Sequence, residues 1–201
     1  SLGIATALSP QIDLASDPRW GRFEGTMGED PNLVTDLARS YVDGFQSTNK
    51  RGWGVNSVNT MIKHWPGGGT GEGGRDGHYG FGSYAVYPGD NIEEQMKIFT
   101  EGALNLRGNT LSASAIMPYY TIALGNGEEV GSAYNNYLIN NILRDKYQYD
   151  GVLCTDWGIT GDAFAVDVFF SGKSFGVENL TVAERHYKAL MSGMDQFGGN
   201  N

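Results

Sequence analysis

Apolar residues in this chain fall into short blocks of two spacings, and their alternation predicts the architecture. Leu33, Val34, Leu37, Ala38, Tyr41, Val42 and Phe45 recur three and four positions apart, the spacing of one helix face. Asp30 ahead of them, with Pro31 at the first helical position, marks the start of that helix. Asp90-Asn91-Ile92-Glu93 and Thr181-Val182-Ala183-Glu184 have capping-box spacing. They predict helices reaching about residue 107, with Ile92, Met96, Phe99, Ala103 and Leu106 inward, and about residue 194. A fourth helical pattern starts at Tyr134, runs through Leu138, Ile139, Ile142 and Leu143, and ends over residues 147–150. Between the helices lie compact runs that read as strands, at 9–14, 55–62, 112–117 and 152–154. The last, Val152-Leu153-Cys154, is continuously apolar, as a parallel strand buried on both faces would be.

Four strand–helix units repeating at roughly 40–50 residues predict an α/β fold with a parallel sheet or barrel. The 201 residues suffice for one large domain with a real core, and the hydrophobic content of 40% fits a globular chain. The net charge of −9 argues against a nucleic-acid partner, which needs a clustered basic face. No apolar run approaches the ~18 residues that span a bilayer. Cys154 is the single cysteine, so no internal disulfide forms, and its place in a strand reads as an inert buried thiol. Ser1 opens the chain without a signal-peptide pattern and residues 196–201 end it without a closing element, so it is expected to be part of a longer protein.

Chemistry-bearing residues gather at the strand ends: Arg19 and Arg22, Lys63 and His64, Tyr119 and Tyr120, then Asp156 and Trp157. In parallel α/β folds those ends share the active-site face. Residues 65–89 form one long loop in which ten of 25 positions are Gly, and it carries Glu72, Arg75, Asp76 and His78. A loop that long in a compact domain is usually functional. It lacks the Gly-Lys-Ser or Gly-Lys-Thr ending of a phosphate loop. Read alone, Asp156 serves equally well as a helix cap, Lys63 as a surface residue and His64 as a core histidine. Together, a carboxylate among cations, phenols and an indole has the composition that binds and cleaves a sugar.

At these residues the sequence resembles glycoside hydrolase family 3, the β-glucosidase and β-xylosidase family. The motifs are Asp17-Pro18-Arg19-Trp20-Gly21-Arg22 with Gly28-Glu29-Asp30-Pro31, Lys63-His64-Trp65-Pro66-Gly67, and Thr155-Asp156-Trp157-Gly158, where the family usually has Ser-Asp-Trp. Their order matches and the resemblance covers nearly the whole chain. It implies a partial (β/α)8 TIM-type barrel lacking its first strand or strands and its last unit. Residues 1–201 would then be part of one catalytic domain whose following C-terminal domain is absent. It makes Asp156 the nucleophile, with Arg22, Lys63, His64, Arg75 and Tyr120 binding the sugar and Met117 and Trp157 lining its subsite. It implies no metal and no cofactor, a small β-glucoside, β-xyloside or oligosaccharide as substrate, no membrane partner, and a periplasmic or secreted setting rather than a cytoplasmic one.

Two departures from the family pattern bear on mechanism. A sugar-clamping aspartate of the family would precede residue 1. The family's N-acetylhexosaminidase branch has Lys-His-Phe-Pro-Gly-His-Gly, with a His where this chain has Gly68. That His and a nearby Asp do acid/base work in the branch, so its absence points to the glucosidase or xylosidase branch, whose acid/base usually comes from a following domain. Asp76 and His78 could imitate the dyad from another place in the loop. The leading expectation is a retaining exo-acting β-glycosidase; the alternatives are an N-acetylglucosaminidase or phosphorylase with its acid/base in this chain, and a non-catalytic sugar-binding chain.

Overall fold

The computed structural model describes residues 3–48, 52–163 and 167–199. Four parallel strands form the main sheet: β1 (Thr6–Ala7), β2 (Asn59–Trp65), β4 (Ala115–Pro118) and β6 (Val152–Leu153), in the order β1-β2-β4-β6. A second, two-stranded parallel sheet joins β3 (Tyr84–Ala85) to β5 (Ile122–Ala123) within the loops above it. Helix α1 (Pro31–Gln46) links β1 to β2, and α2 (Ile92–Lys97), continued by a π-helical turn over Ile98–Ala103, links β2 to β4. A π-helical segment, Tyr137–Lys146, leads into β6, and α3 (Val182–Met191) follows. The expected α/β class with a parallel sheet is what the chain adopts.

Several elements sit elsewhere than their sequence pattern predicts. The first strand precedes residues 9–14, because Pro10 has no N–H to give the ladder; the backbone of that segment pairs with β2 in an isolated bridge from Gln11 to Lys63. The second strand begins at Asn59, since Val55 stands in a turn, 98% exposed. It extends through Trp65, because β2 is central and paired on both sides. The third begins at Ala115, three residues late, because Gln46 captures the approach: its Oε1 accepts from Ser114 N and its Nε2 donates to Ser112 O. Val152 in the fourth is 41% exposed, so burial on both faces fails at its first residue, although Leu153 and Cys154 are buried.

The helix starts divide in the same way. Asp30 accepts from Asn32 N and Leu33 N at 2.9 Å each, and the Thr181–Glu184 capping box forms in both directions. The box expected at Asp90 does not: Asp90 has φ of 59°, Asn91 takes the cap position, and no side chain caps it. The expected helical end over residues 147–150 is also absent, because Gln148 turns left-handed with φ of 53°.

The main core packs Val34, Ala38 and Val42 of α1 and Phe99 of the π turn against Ile62 and Ile116, with Leu138 and Ile139 beside them. Trp65 meets Phe99 edge-on at 5.3 Å and donates its Nε1–H to Leu138 O. Strand side chains alternate between faces. The opposite face therefore carries a smaller cluster, Met61, Ala115, Met117 and Cys154. Continuing along each strand on that same face leads to Lys63, Met117 and Asp156, which is how the sheet aims them at one place.

Candidate active site

Lys63 is in register with Met117 on β4, and the register then shifts so that Trp65 pairs with Pro118. His64 is the extra residue of this irregularity, which turns its ring away from strict alternation. The segment after β1 adds Arg22 and Asp13, and the turn after β6 adds Asp156 and Trp157. A cavity of about 170 Å3 forms between them, lined by Arg22, Lys63, His64, His78, Met117, Asp156, Trp157 and Leu8.

The Asp156 carboxylate is held from one side. Its Oδ1 accepts from Tyr120 Oη at 2.8 Å and from Trp157 N at 2.7 Å. Its Oδ2 is buried and has no hydrogen-bond partner among the described residues, with His64 Nε2 standing 3.7 Å away. A carboxylate so tethered is fixed in direction while one oxygen keeps both lone pairs for whatever enters the cavity.

His64 is fixed by Asp13, a fully buried carboxylate that accepts from His64 Nδ1 at 2.7 Å, His64 N at 2.8 Å and Gly68 N at 2.6 Å. On its other side His64 Nε2 lies 3.1 Å from Arg22 Nη1. A guanidinium only donates, so Nε2 accepts and the imidazole proton resides on Nδ1, facing Asp13. Arg22 also donates to Gln11 Oε1 at 3.0 Å. The chain Asp13–His64–Arg22 thus sets the guanidinium at the cavity wall. Burial pushes the Asp13 carboxyl up, but the attraction of His64 and the N–H donors of His64 and Gly68 outweigh it and hold the carboxyl below its ordinary value.

Burial lowers the Lys63 ammonium, the Arg22 charge adds to that, and Asp156 and Asp13 oppose it. Burial likewise lowers Lys173, against the pull of Asp156 and Asp76. Burial raises the Tyr120 phenol, as does the neighbouring Asp156 charge, which keeps it a hydrogen-bond donor. Asp76 accepts from His78 Nδ1 at 2.6 Å, His78 N at 2.7 Å, Trp20 Nε1 at 3.0 Å and Tyr119 Oη at 3.3 Å. Burial raises its carboxyl, and the His78 contacts outweigh that to leave it lowered.

The structure brings together Arg22, Lys63, His64, Met117, Tyr120, Asp156 and Trp157. It does not bring Arg75, whose guanidinium points out beside Glu72 with both side chains more than half exposed. Arg19 is also turned outward, paired with Asp17 at 2.6 Å. Two residues of the site escaped the sequence reading. Asp13 lies inside an apolar run, and Lys173 follows a stretch without a usable pattern. The signal for Asp13 was its isolation between Ile12 and Leu14, since an acid among buried neighbours needs a partner. Among the described residues no group of three or more potential metal ligands comes together, and no helix is long and apolar enough to cross a membrane.

The model of the glycosyl hydrolase family 3 N-terminal domain matches residues 1–197. The chain belongs to glycosyl hydrolase family 3. Among curated relatives, β-glucosidase C of Emericella nidulans is 40% identical over 200 residues, covering 99% of this chain and 31% of that protein. A periplasmic β-glucosidase/β-xylosidase of Dickeya chrysanthemi is 41% identical over 215 residues, covering 99% and 32%. The chain thus spans about a third of the length of these family-3 relatives. Among solved structures, a β-glucosidase from Erythrobacter marinus superposes with a TM-score of 0.72 at 27% identity, over 98% of this chain and 23% of that one. A family-3 β-N-acetylglucosaminidase from Paenibacillus shares the fold with a TM-score of 0.73 at 22% identity, over 100% of this chain and 33% of that one.

Proposed function

We propose that this chain carries the sugar-binding and nucleophilic part of a retaining, exo-acting β-glycosidase for terminal β-linked glucose or xylose. The observation that carries the reading is Asp156 Oδ2, buried beside the cavity and unbonded among the described residues while Oδ1 is tethered. In the first step Oδ2 attacks the anomeric carbon, its bond to the leaving oxygen breaks, and an acid protonates that oxygen. In the second step water attacks the anomeric carbon of the glycosyl–Asp156 ester, its proton passes to the same acid group now acting as base, and the bond from that carbon to Oδ2 breaks to free the carboxylate. Arg22 and Lys63 hold sugar hydroxyls, and Met117 and Trp157 bound the ring. We further read residues 1–201 as part of one (β/α)8-type barrel. The pairing of Cys154 with Gln196 beyond β6 supports this, because it continues the sheet past its last strand.

The acid of the first step belongs to the remainder of the protein in this reading. Gly68 supports the glucosidase or xylosidase branch: a Cβ there would stand 3.0 Å from Asp13 Oδ2, so a histidine at this position would crowd the carboxylate that holds His64. A second reading places the acid/base within the chain, as in an N-acetylglucosaminidase or phosphorylase. One observation favours it: His78, bonded to Asp76, lines the same cavity as Asp156. His78→Ala separates the two. Loss of turnover confined to poor leaving groups, with dinitrophenyl glycosides spared, assigns the proton to His78. For the main reading, Asp156→Asn should abolish turnover by several orders of magnitude while sugar binding persists. Near-native activity in that variant would move the nucleophile elsewhere.

A further inference from the structure

The first motif of the chain holds two arginines, and the structure treats their charges differently. Arg19 is taken by a carboxylate: Asp17 accepts from its Nε at 3.0 Å and from its Nη2 at 2.6 Å, and the guanidinium is turned out to solvent. Arg22 instead faces the cavity that holds Asp156. Among the described residues its hydrogen-bond partners are both neutral, Gln11 Oε1 at 3.0 Å and His64 Nε2 at 3.1 Å. Neither offsets the guanidinium charge, and a neighbour feels it. Burial does most to lower the Lys63 ammonium, and the Arg22 charge comes next.

Gln11 is built in as firmly as the groups it serves. Its backbone is locked against β2, with Lys63 N donating to Pro10 O at 3.2 Å and Ile12 N to Lys63 O at 2.9 Å. Side chains two apart along an extended segment share a face. Asp13 on that face holds His64, and Gln11 holds Arg22. The amide comes at a cost, because Gln11 Nε2 is buried with no hydrogen-bond partner among the described residues. A glutamate of the same length would remove that stranded donor and offer the guanidinium a carboxylate, the partner its fork fits best. Stability alone does not select glutamine here.

We propose that Gln11 is a positioning residue that fixes Arg22 at the cavity wall without neutralising it, so that the whole guanidinium charge meets the sugar. This deepens, and rests on, the reading above in which Arg22 holds sugar hydroxyls.

Two variants of similar length, Gln11→Met and Gln11→Glu, separate the acceptor from the charge. The first removes the acceptor together with the stranded donor; the second keeps the acceptor and adds a negative charge. In the intact protein, kcat/KM for an aryl β-glucoside or β-xyloside is expected to fall about threefold in Gln11→Met, where His64 still holds Arg22, and about tenfold in Gln11→Glu, chiefly through KM. The denaturant midpoint of Gln11→Glu should be no lower than that of Gln11→Met. A merely structural role would make activity follow stability, so a loss in Gln11→Met equal to or above that in Gln11→Glu overturns the proposal. Nitrogen NMR of the free protein reads the positioning without any substrate. In Gln11→Met the guanidinium loses one of its two anchors, and the His64 Nε2 resonance should move downfield as its donor is lost. Turnover with an unmoved resonance overturns the proposal alone. A protein that shows the shift but turns over no glycoside overturns the glycosidase reading, and the sugar-directed role of Arg22 with it.

Discussion

Replacing Asp13 by asparagine tests the part of the site that no local pattern shows. The native carboxylate accepts three N–H groups, from His64 Nδ1, His64 N and Gly68 N, all within 2.8 Å and all buried. The amide oxygen of Asn can keep the two backbone donors. Its NH2 then faces the imidazole N–H, donor against donor. Either one buried donor stays unsatisfied, or the ring proton moves to Nε2, where it meets the Arg22 guanidinium at 3.1 Å. Both outcomes replace charge-assisted bonds with weaker ones. The expected loss is about 2–4 kcal/mol, a large share of the roughly 5–15 kcal/mol of a typical domain. Denaturant unfolding should show a lower midpoint with an unchanged slope. Nitrogen NMR of the imidazole should show the proton leave Nδ1, with weaker sugar binding as Arg22 is displaced. A midpoint shift worth less than about 0.5 kcal/mol, with Nδ1 still protonated, would refute the reasoning.

The same carboxylate carries a pH prediction. Its folded pKa lies below the ordinary carboxyl value of 3.8, so between the two values the unfolded chain binds more protons. The stabilisation is complete above about 3.8 and is lost as pH falls through the folded value; Asp13→Asn should flatten that part of an acid-unfolding curve, and an unchanged curve counts against it. Lys63→Ala and His64→Ala should raise KM and lower kcat together, because both line the cavity beside Asp156 and His64 also holds Arg22; an effect on kcat alone in steady-state kinetics would deny them sugar contact. Gly71→Ala should destabilise the Gly-rich loop, since its Cβ would stand 2.0 Å from Arg75 O; a melting temperature equal to wild type contradicts the loop path. The 201 residues alone should cleave dinitrophenyl glycosides before any alkyl glycoside, and steady hydrolysis of cellobiose by this chain would place the acid within it.

Much of this was legible in the sequence where one short segment decides the outcome. Asp30-Pro31 and the Thr181–Glu184 box act within a single turn, and both formed as their spacing predicts. Lys63-His64 and Asp156-Trp157 were legible because strand ends share a face whatever the register. The rest depends on partners far along the chain. Asp13 is explained by His64 and Gly68, 51 and 55 residues away. The start of β4 is set by Gln46, 68 residues before Ser114. The resemblance puts Arg75 among the sugar-binding residues, yet Gly73 and Gly74 turn the backbone left-handed just before it, and its side chain goes outward with Glu72. A one-residue change of direction in a glycine-rich loop leaves no trace in composition or period.

The central claim is that Asp156 Oδ2 attacks the sugar, and covalent trapping tests it most directly. A 2-deoxy-2-fluoro β-glucoside or xyloside with a dinitrophenolate leaving group needs no acid for the first step and stalls before the second. Peptide mass spectrometry after such treatment should find one glycosyl ester on the peptide containing Asp156, absent from Asp156→Asn. An adduct on another carboxylate, or a burst of dinitrophenolate with no adduct on Asp156, would contradict the account.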